Sequence, residues 1–111
     1  MSQKNNKDHK VWVDIQVGRN GILQAMVDSE ATNNYISQQA IRVLELTLQR
    51  ALKPMQVYMA NGESEWITDQ VHVEAMILGD PQELTFDVLN LIKYDAILGM
   101  PWLRKKNSRI D

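Results

Sequence analysis

Hydrophobic and polar positions begin to alternate at Val11. Val11, Val13, Ile15 and Val17 are separated by Trp12, Asp14 and Gln16, the period of a strand with one buried face. Gly18-Arg19-Asn20-Gly21 has turn composition, and Ile22 to Val27 is a second apolar run, so the two predict a hairpin. Asp28-Ser29-Glu30-Ala31-Thr32 is a polar break directly after it. From Ser37 to Leu48 the period changes. Ser37 is a candidate N-cap, and Ala40, Ile41, Leu44 and Leu48 fall at helical spacing, with Pro54 ending the region. Met55 to Ala60 is strand-like again. Asn61-Gly62 is the strongest hairpin-turn dipeptide in the chain, and Glu63 to Ile67 follows it. Val71, Val73, Ala75 and Ile77 then alternate with His72, Glu74 and Met76. Gly79-Asp80-Pro81 reads as a turn, after which Leu84, Phe86 and Val88 alternate once more. Ala96-Ile97-Leu98-Gly99 is a small buried run, and Met100-Pro101-Trp102-Leu103 opens a short terminal helix with Pro near its first turn.

Short strands, turn signals about every ten residues and one or two helices predict a mainly β domain, barrel or sandwich. The 111 residues suffice for one domain and not for two, and a 44% hydrophobic content supports a real core. That core is modest, so association with a second copy would help stability. Met1 to Lys10 is polar and reads as a disordered lead-in. Trp12, Trp66 and Trp102 read as packing residues, with Trp66 the first exception to consider.

A net charge of -2 gives no general reason to expect nucleic acid or an anionic membrane as partner. Basic residues gather only at the ends, as Lys4, Lys7 and Lys10 and as Arg104, Lys105, Lys106 and Arg109, which read as solvated surface. There is no cysteine, which excludes disulfides, thiolate metal sites and a cysteine nucleophile and fits a reducing, intracellular setting. No apolar run reaches membrane-spanning length, and no signal-peptide pattern is present. A Ser-His-Asp triad would need His9, in the lead-in, or His72, which the alternation places on an exposed strand face. Zinc lacks its usual ligands, and the five glycines are dispersed among turns rather than gathered in a phosphate loop, so no metal or cofactor is expected. Carboxylates remain. Asp28 follows the apolar strand Leu23-Gln24-Ala25-Met26-Val27, where an Asp is costly unless hydrogen-bonded or chemically employed. On pattern alone the plainer reading, an ordinary Asp in a turn, is the favoured one.

Val27-Asp28-Ser29-Glu30-Ala31-Thr32-Asn33-Asn34-Tyr35-Ile36-Ser37 resembles the active-site segment of retropepsin-like aspartic proteases, Asp, then Ser or Thr, then Gly-Ala-Thr. Tyr94-Asp95-Ala96-Ile97-Leu98-Gly99-Met100-Pro101-Trp102-Leu103 is similar to the second signature of the same family, as found in gypsy-type retrotransposons ahead of the reverse transcriptase. Ala60-Asn61-Gly62 falls where the family has its flap tip. The two motifs lie in the family's order, about seventy residues apart.

The resemblance implies a retropepsin-like half-barrel over residues 11–104, with 105–111 as a linker toward a downstream polymerase. It implies a homodimer in which Asp28, supplied twice, is the catalytic carboxylate. Ser29, Ala31 and Thr32 would complete the active-site loop, with Glu30 among them. Ala60, Asn61 and Gly62 would close over the peptide, and Ile97, Leu98 and Gly99 would pack beneath the loop. The implied partners are a second copy and peptide segments of a Gag-Pol polyprotein, in a cytoplasmic virus-like particle. Two carboxylates held close together share one proton, and the ionised one activates a water that attacks the peptide carbonyl. Position 30 departs from the pattern. The family has Gly there, and Glu adds a carboxylate to each half of the site, with backbone strain on the order of 1–3 kcal/mol if the loop needs an unusual conformation. The chain therefore carries two readings, an active homodimeric endopeptidase and a catalytically degenerate module that keeps the fold as a structural or dimerisation domain.

Overall fold

A computed structural model describes residues 11–58 and 62–110, with side-chain surroundings given through Lys105. The leading alternation folds as a hairpin. β1 (Val11–Val17) pairs antiparallel with β2 (Gly21–Val27), register Val11↔Val27 to Val17↔Gly21. Val13, Ile15 and Val17 point into the core while Trp12, Asp14 and Gln16 stay outside. Asn20 N–H closes the turn on Val17 O at 2.8 Å. The Asn20 side-chain amide donates to Leu44 O at 2.6 Å, which ties this turn to the first helix.

β3 (Tyr35–Ser37) leads into α1 (Gln38–Val43), and the Ser37 hydroxyl accepts Ala40 N–H at 3.0 Å as the N-cap. The expected helix to Leu48 is too long. Glu45 N–H bonds Arg42 O at 3.2 Å and Leu46 N–H bonds Ile41 O at 3.0 Å, with Glu45 at φ 54°, a Schellman ending. Pro54 therefore ends no helix. It lies inside β4 (Gln49–Tyr58), where the register with the next strand shifts between Arg50 and Met55.

The two apolar runs between residues 63 and 77 form one strand, β5 (Ser64–Ile77). Its first half pairs with β4, from Tyr58↔Ser64 to Gln49↔Gln70. Its second half pairs with β6 (Asp80–Leu89), from Gln70↔Asp87 to Ile77↔Asp80. Gln70 belongs to both ladders. The turn expected at Gly79-Asp80-Pro81 sits instead on Leu78-Gly79, at φ 53° and 78°, with Asp80 and Pro81 already in β6. A leucine in this left-handed position is strained. Leu78→Asn gives the Asn-Gly pair that such two-residue turns favour and should stabilise the fold by about 1 kcal/mol, read as a higher denaturant midpoint at unchanged m-value.

β7 (Ala96–Leu98) runs parallel to β2 and antiparallel to β3, β3 runs parallel to β6, and β1 also pairs with β5. The pairings thus return on themselves, β1-β2-β7-β3-β6-β5-β1, as a closed six-stranded ring with β4 attached outside. Of the barrel and sandwich expected, the chain forms the barrel. Ile15, Leu23, Ile36, Val71, Ile77, Phe86 and Leu98 fill it. Trp102 packs into the same core from α2 (Met100–Ile110), a helix that continues through residues 105–110 without a break at Arg104. Trp12 and Trp66 are not core residues. They are 43% and 59% exposed, and Trp12 meets the Tyr94 ring at 5.5 Å.

Candidate active site

β2 carries the chain through the barrel wall and ends at Val27, opposite Leu98 of β7. Asp28 comes next. Its N–H donates to Leu98 O at 2.9 Å, so the β2–β7 pairing extends one residue beyond the strand and fixes the Asp28 backbone. The chain then turns sharply, with Ala31 N–H on Asp28 O at 3.1 Å. Glu30 N–H donates to Asp28 Oδ1 at 2.9 Å, an Asp accepting from the backbone two residues on. The carboxylate is thus oriented by its own loop and remains half-exposed.

The loop is clamped from below by the β7–α2 junction. Met100 N–H, one of the first helical donors without an intrahelical partner, bonds Ala31 O at 2.9 Å. Gly99 N–H bonds Asn34 Oδ1 at 2.9 Å. A Cβ added at Gly99 would lie 2.5 Å from Ala31 O, 3.0 Å from Ala31 Cβ and closer still to Asn33 O. Close approach of two backbone segments therefore requires glycine here.

The residues singled out in the sequence take these places. Ser29, Glu30 and Thr32 are exposed on the loop, while Ala31 is half-buried. Leu98 is fully buried below Asp28, and Ile97 packs on a second small cluster of Tyr35, Ile67 and Leu89. Gly62, at φ 90°, is exposed near the end of the β4–β5 hairpin, whereas Ala60 and Asn61 lie outside the described residues. Glu30 does not carry the feared strain. Among described non-glycine residues only Glu45 and Leu78 have positive φ, and the Glu30 side chain is exposed. His72 is exposed between the buried Val71 and Val73, with Nδ1 2.7 Å from Thr85 Oγ1. No group of three or more His, Cys, Asp or Glu side chains that could hold a metal exists among the described residues.

Four polar residues given no role in the sequence reading support the loop. Asn34 is buried, with Oδ1 on Gly99 and its amide 3.4 Å from Thr85 O. Asp87, placed by the Leu84, Phe86, Val88 alternation on a polar face, is buried at 5% exposure. It accepts from the Asn33 amide at 3.0 Å and from the Gln70 amide at 2.9 Å. The available signal was an Asp among the apolar residues Leu84, Phe86, Val88 and Leu89, but strand period alone does not register a loop covering its face.

No curated protein sequence matches the chain. Among solved structures, EIAV protease complexed with the inhibitor HBY-793 superposes at TM-score 0.69 and 13% identity, covering 92% of each chain. The retroviral protease-like domain of Ddi1 from Leishmania major superposes at TM-score 0.62 and 17% identity, covering 88% of this chain and 76% of that one. At such identities the likeness is one of fold. Sequence supplies the rest: the model of the PEG10/RTL1 protease domain family matches residues 24–111, from β2 through the Asp28 loop to α2. A retropepsin-like barrel, the Asp28 loop on its wall and this match agree, and the chain belongs to the PEG10/RTL1 protease domain family.

Proposed function

We propose that the domain is an aspartic endopeptidase that acts as a homodimer and processes the polyprotein of a retrotransposon-like element. The observation that carries this reading is the setting of Asp28, a half-exposed carboxylate fixed by Glu30 N–H and by the bond from its own N–H to Leu98 O. Both bonds come from backbone, so Glu30 supplies the donor as well as glycine would. A single carboxylate is half of the chemistry. With a second copy, two Asp28 side chains face each other and share a proton; the ionised one takes a proton from water, and the protonated one stabilises the oxygen where charge develops. The β4–β5 hairpin is the element that excludes bulk water over a bound peptide.

Glu30 favours a second reading. Its exposed side chain brings one more carboxylate per copy beside the Asp28 pair, which opposes dimerisation near neutral pH. In that reading the domain keeps its fold as a structural or interaction module, whether or not it dimerises, without cutting. Cleavage of a Gag-like peptide, followed across protein concentration alongside sedimentation, tests both. Activity per chain should rise with concentration and level off. Glu30→Gly should shift that rise to about tenfold lower concentration, the effect of relieving roughly 1.4 kcal/mol of repulsion. Dimers that cut nothing, with or without Glu30→Gly, would establish the degenerate module. A strict monomer at high concentration would leave Asp28 without its partner and end the catalytic reading.

A further inference from the structure

We infer that Asp87 is a positioning residue that couples the root of the β4–β5 hairpin to the loop carrying Asp28, an inference that rests on the protease reading for its catalytic consequence. Asp87 is buried, and each of its carboxylate oxygens holds a different element. Oδ2 accepts the Asn33 amide at 3.0 Å, and Oδ1 accepts the Gln70 amide at 2.9 Å. Its backbone N–H also donates to Asn34 O at 2.8 Å. Asn33 belongs to the segment pressed against Gly99 beneath the Asp28 turn. Gln70 is the point at which β5 leaves its pairing with β4 and takes up its pairing with β6. Movement of the hairpin relative to the barrel therefore passes through Gln70.

The chemistry fits that duty. Two N–H donors arriving from different elements need a group that accepts at both ends. An ionised carboxylate does so, whereas an amide in the same place accepts at one end and presents a donor at the other. The described residues provide no ion pair to Asp87, so its burial is compensated by the two amides. Burying a carboxylate on neutral donors is costly for a role that an apolar side chain could fill by packing alone. Displacing Gln70 when the hairpin opens pulls on the carboxylate that also holds Asn33. Hairpin closure and the alignment of the Asp28 loop are thereby linked.

The test uses the full chain and two readouts: hydrogen exchange at the Glu30 and Ala31 amides, and peptide cleavage with kcat and KM resolved. Asn33→Asp sets two carboxylates against each other. It should raise exchange at both amides about tenfold and lower kcat about tenfold, with KM changed less. Adding Asp87→Asn recreates a carboxylate–amide pair in reverse and leaves an oxygen for Gln70, so both readouts should return to within about threefold of the wild type. Gln70→Ala should raise exchange at Glu30 and Ala31 in the wild type and add nothing in an Asp87→Leu background. Failure of Asp87→Asn to rescue Asn33→Asp would overturn the coupling. So would independent, additive effects of Gln70→Ala and Asp87→Leu. If Asp87→Leu does not fold, the reversal pair decides by itself. Rescue of exchange in a chain that never cleaves would uphold the coupling and reject the protease reading, so the two fail separately.

Discussion

Asp28→Asn should abolish peptide cleavage, lowering kcat/KM by at least about a thousandfold, within the range by which a positioned acid–base group contributes to catalysis. The substitution changes little else. Asn retains the side-chain oxygen that accepts Glu30 N–H at 2.9 Å, and the backbone bond to Leu98 O is untouched. The fold and any dimer should therefore persist, with thermal midpoint and sedimentation close to those of the parent. What disappears is the ability to take a proton from water. In a mixed dimer of one parent and one variant chain, a single carboxylate would face an amide, and cleavage should fall just as far. Retained cleavage by the Asp28→Asn homodimer would remove Asp28 from the chemistry.

The second large effect is structural. Gly99→Ala should destabilise the domain by about 3 kcal/mol and lower the thermal midpoint by on the order of 15 °C. The added methyl meets the Ala31 and Asn33 carbonyl oxygens, which are backbone and not the free end of a side chain. Ala31 O cannot turn away cheaply because it accepts Met100 N–H. Gly99 N–H is likewise committed to Asn34 Oδ1 inside the protein. Relief requires β7 and α2 to separate from the Asp28 loop, so cleavage should fall even where enough folded protein remains to assay. A Gly99→Ala chain with parental stability would show that the junction is looser than its geometry.

Local patterns were the most legible part of this fold. Strand alternation located β1, an apolar run after a turn located β2, and Ser37 marked the helix start because capping is a short-range interaction visible in sequence. The helix end was misread, since Glu45 adopts the left-handed position that a glycine would have advertised. The turn at Leu78 was displaced for the same reason. Ring closure was not legible, because Ile15↔Ile77 and Val27↔Leu98 join segments remote in sequence. At the candidate site, Asp28 stood out by its place after an apolar strand, while its suggested role and the place of Gly99 came only through the family motifs. Asn34 and Asp87 were not readable at all, because their partners Gly99, Asn33 and Gln70 come from other elements and no spacing within one segment encodes them.

The register shift around Pro54 bears on the solubility of the protein. The ring leaves no free edge among its six strands, but β4 pairs on one side alone, with β5, among the described residues. An open strand edge is a template on which foreign strands add and aggregates grow. This one is blunted by its own sequence. Pro54 offers no N–H, Lys53 places an exposed charge beside it, and the shift between Arg50 and Met55 interrupts regular pairing. The same hairpin exposes Leu52, Tyr58 and Trp66. Its irregular edge thus lets the hairpin carry exposed apolar side chains while denying it the straight border from which fibrils would start.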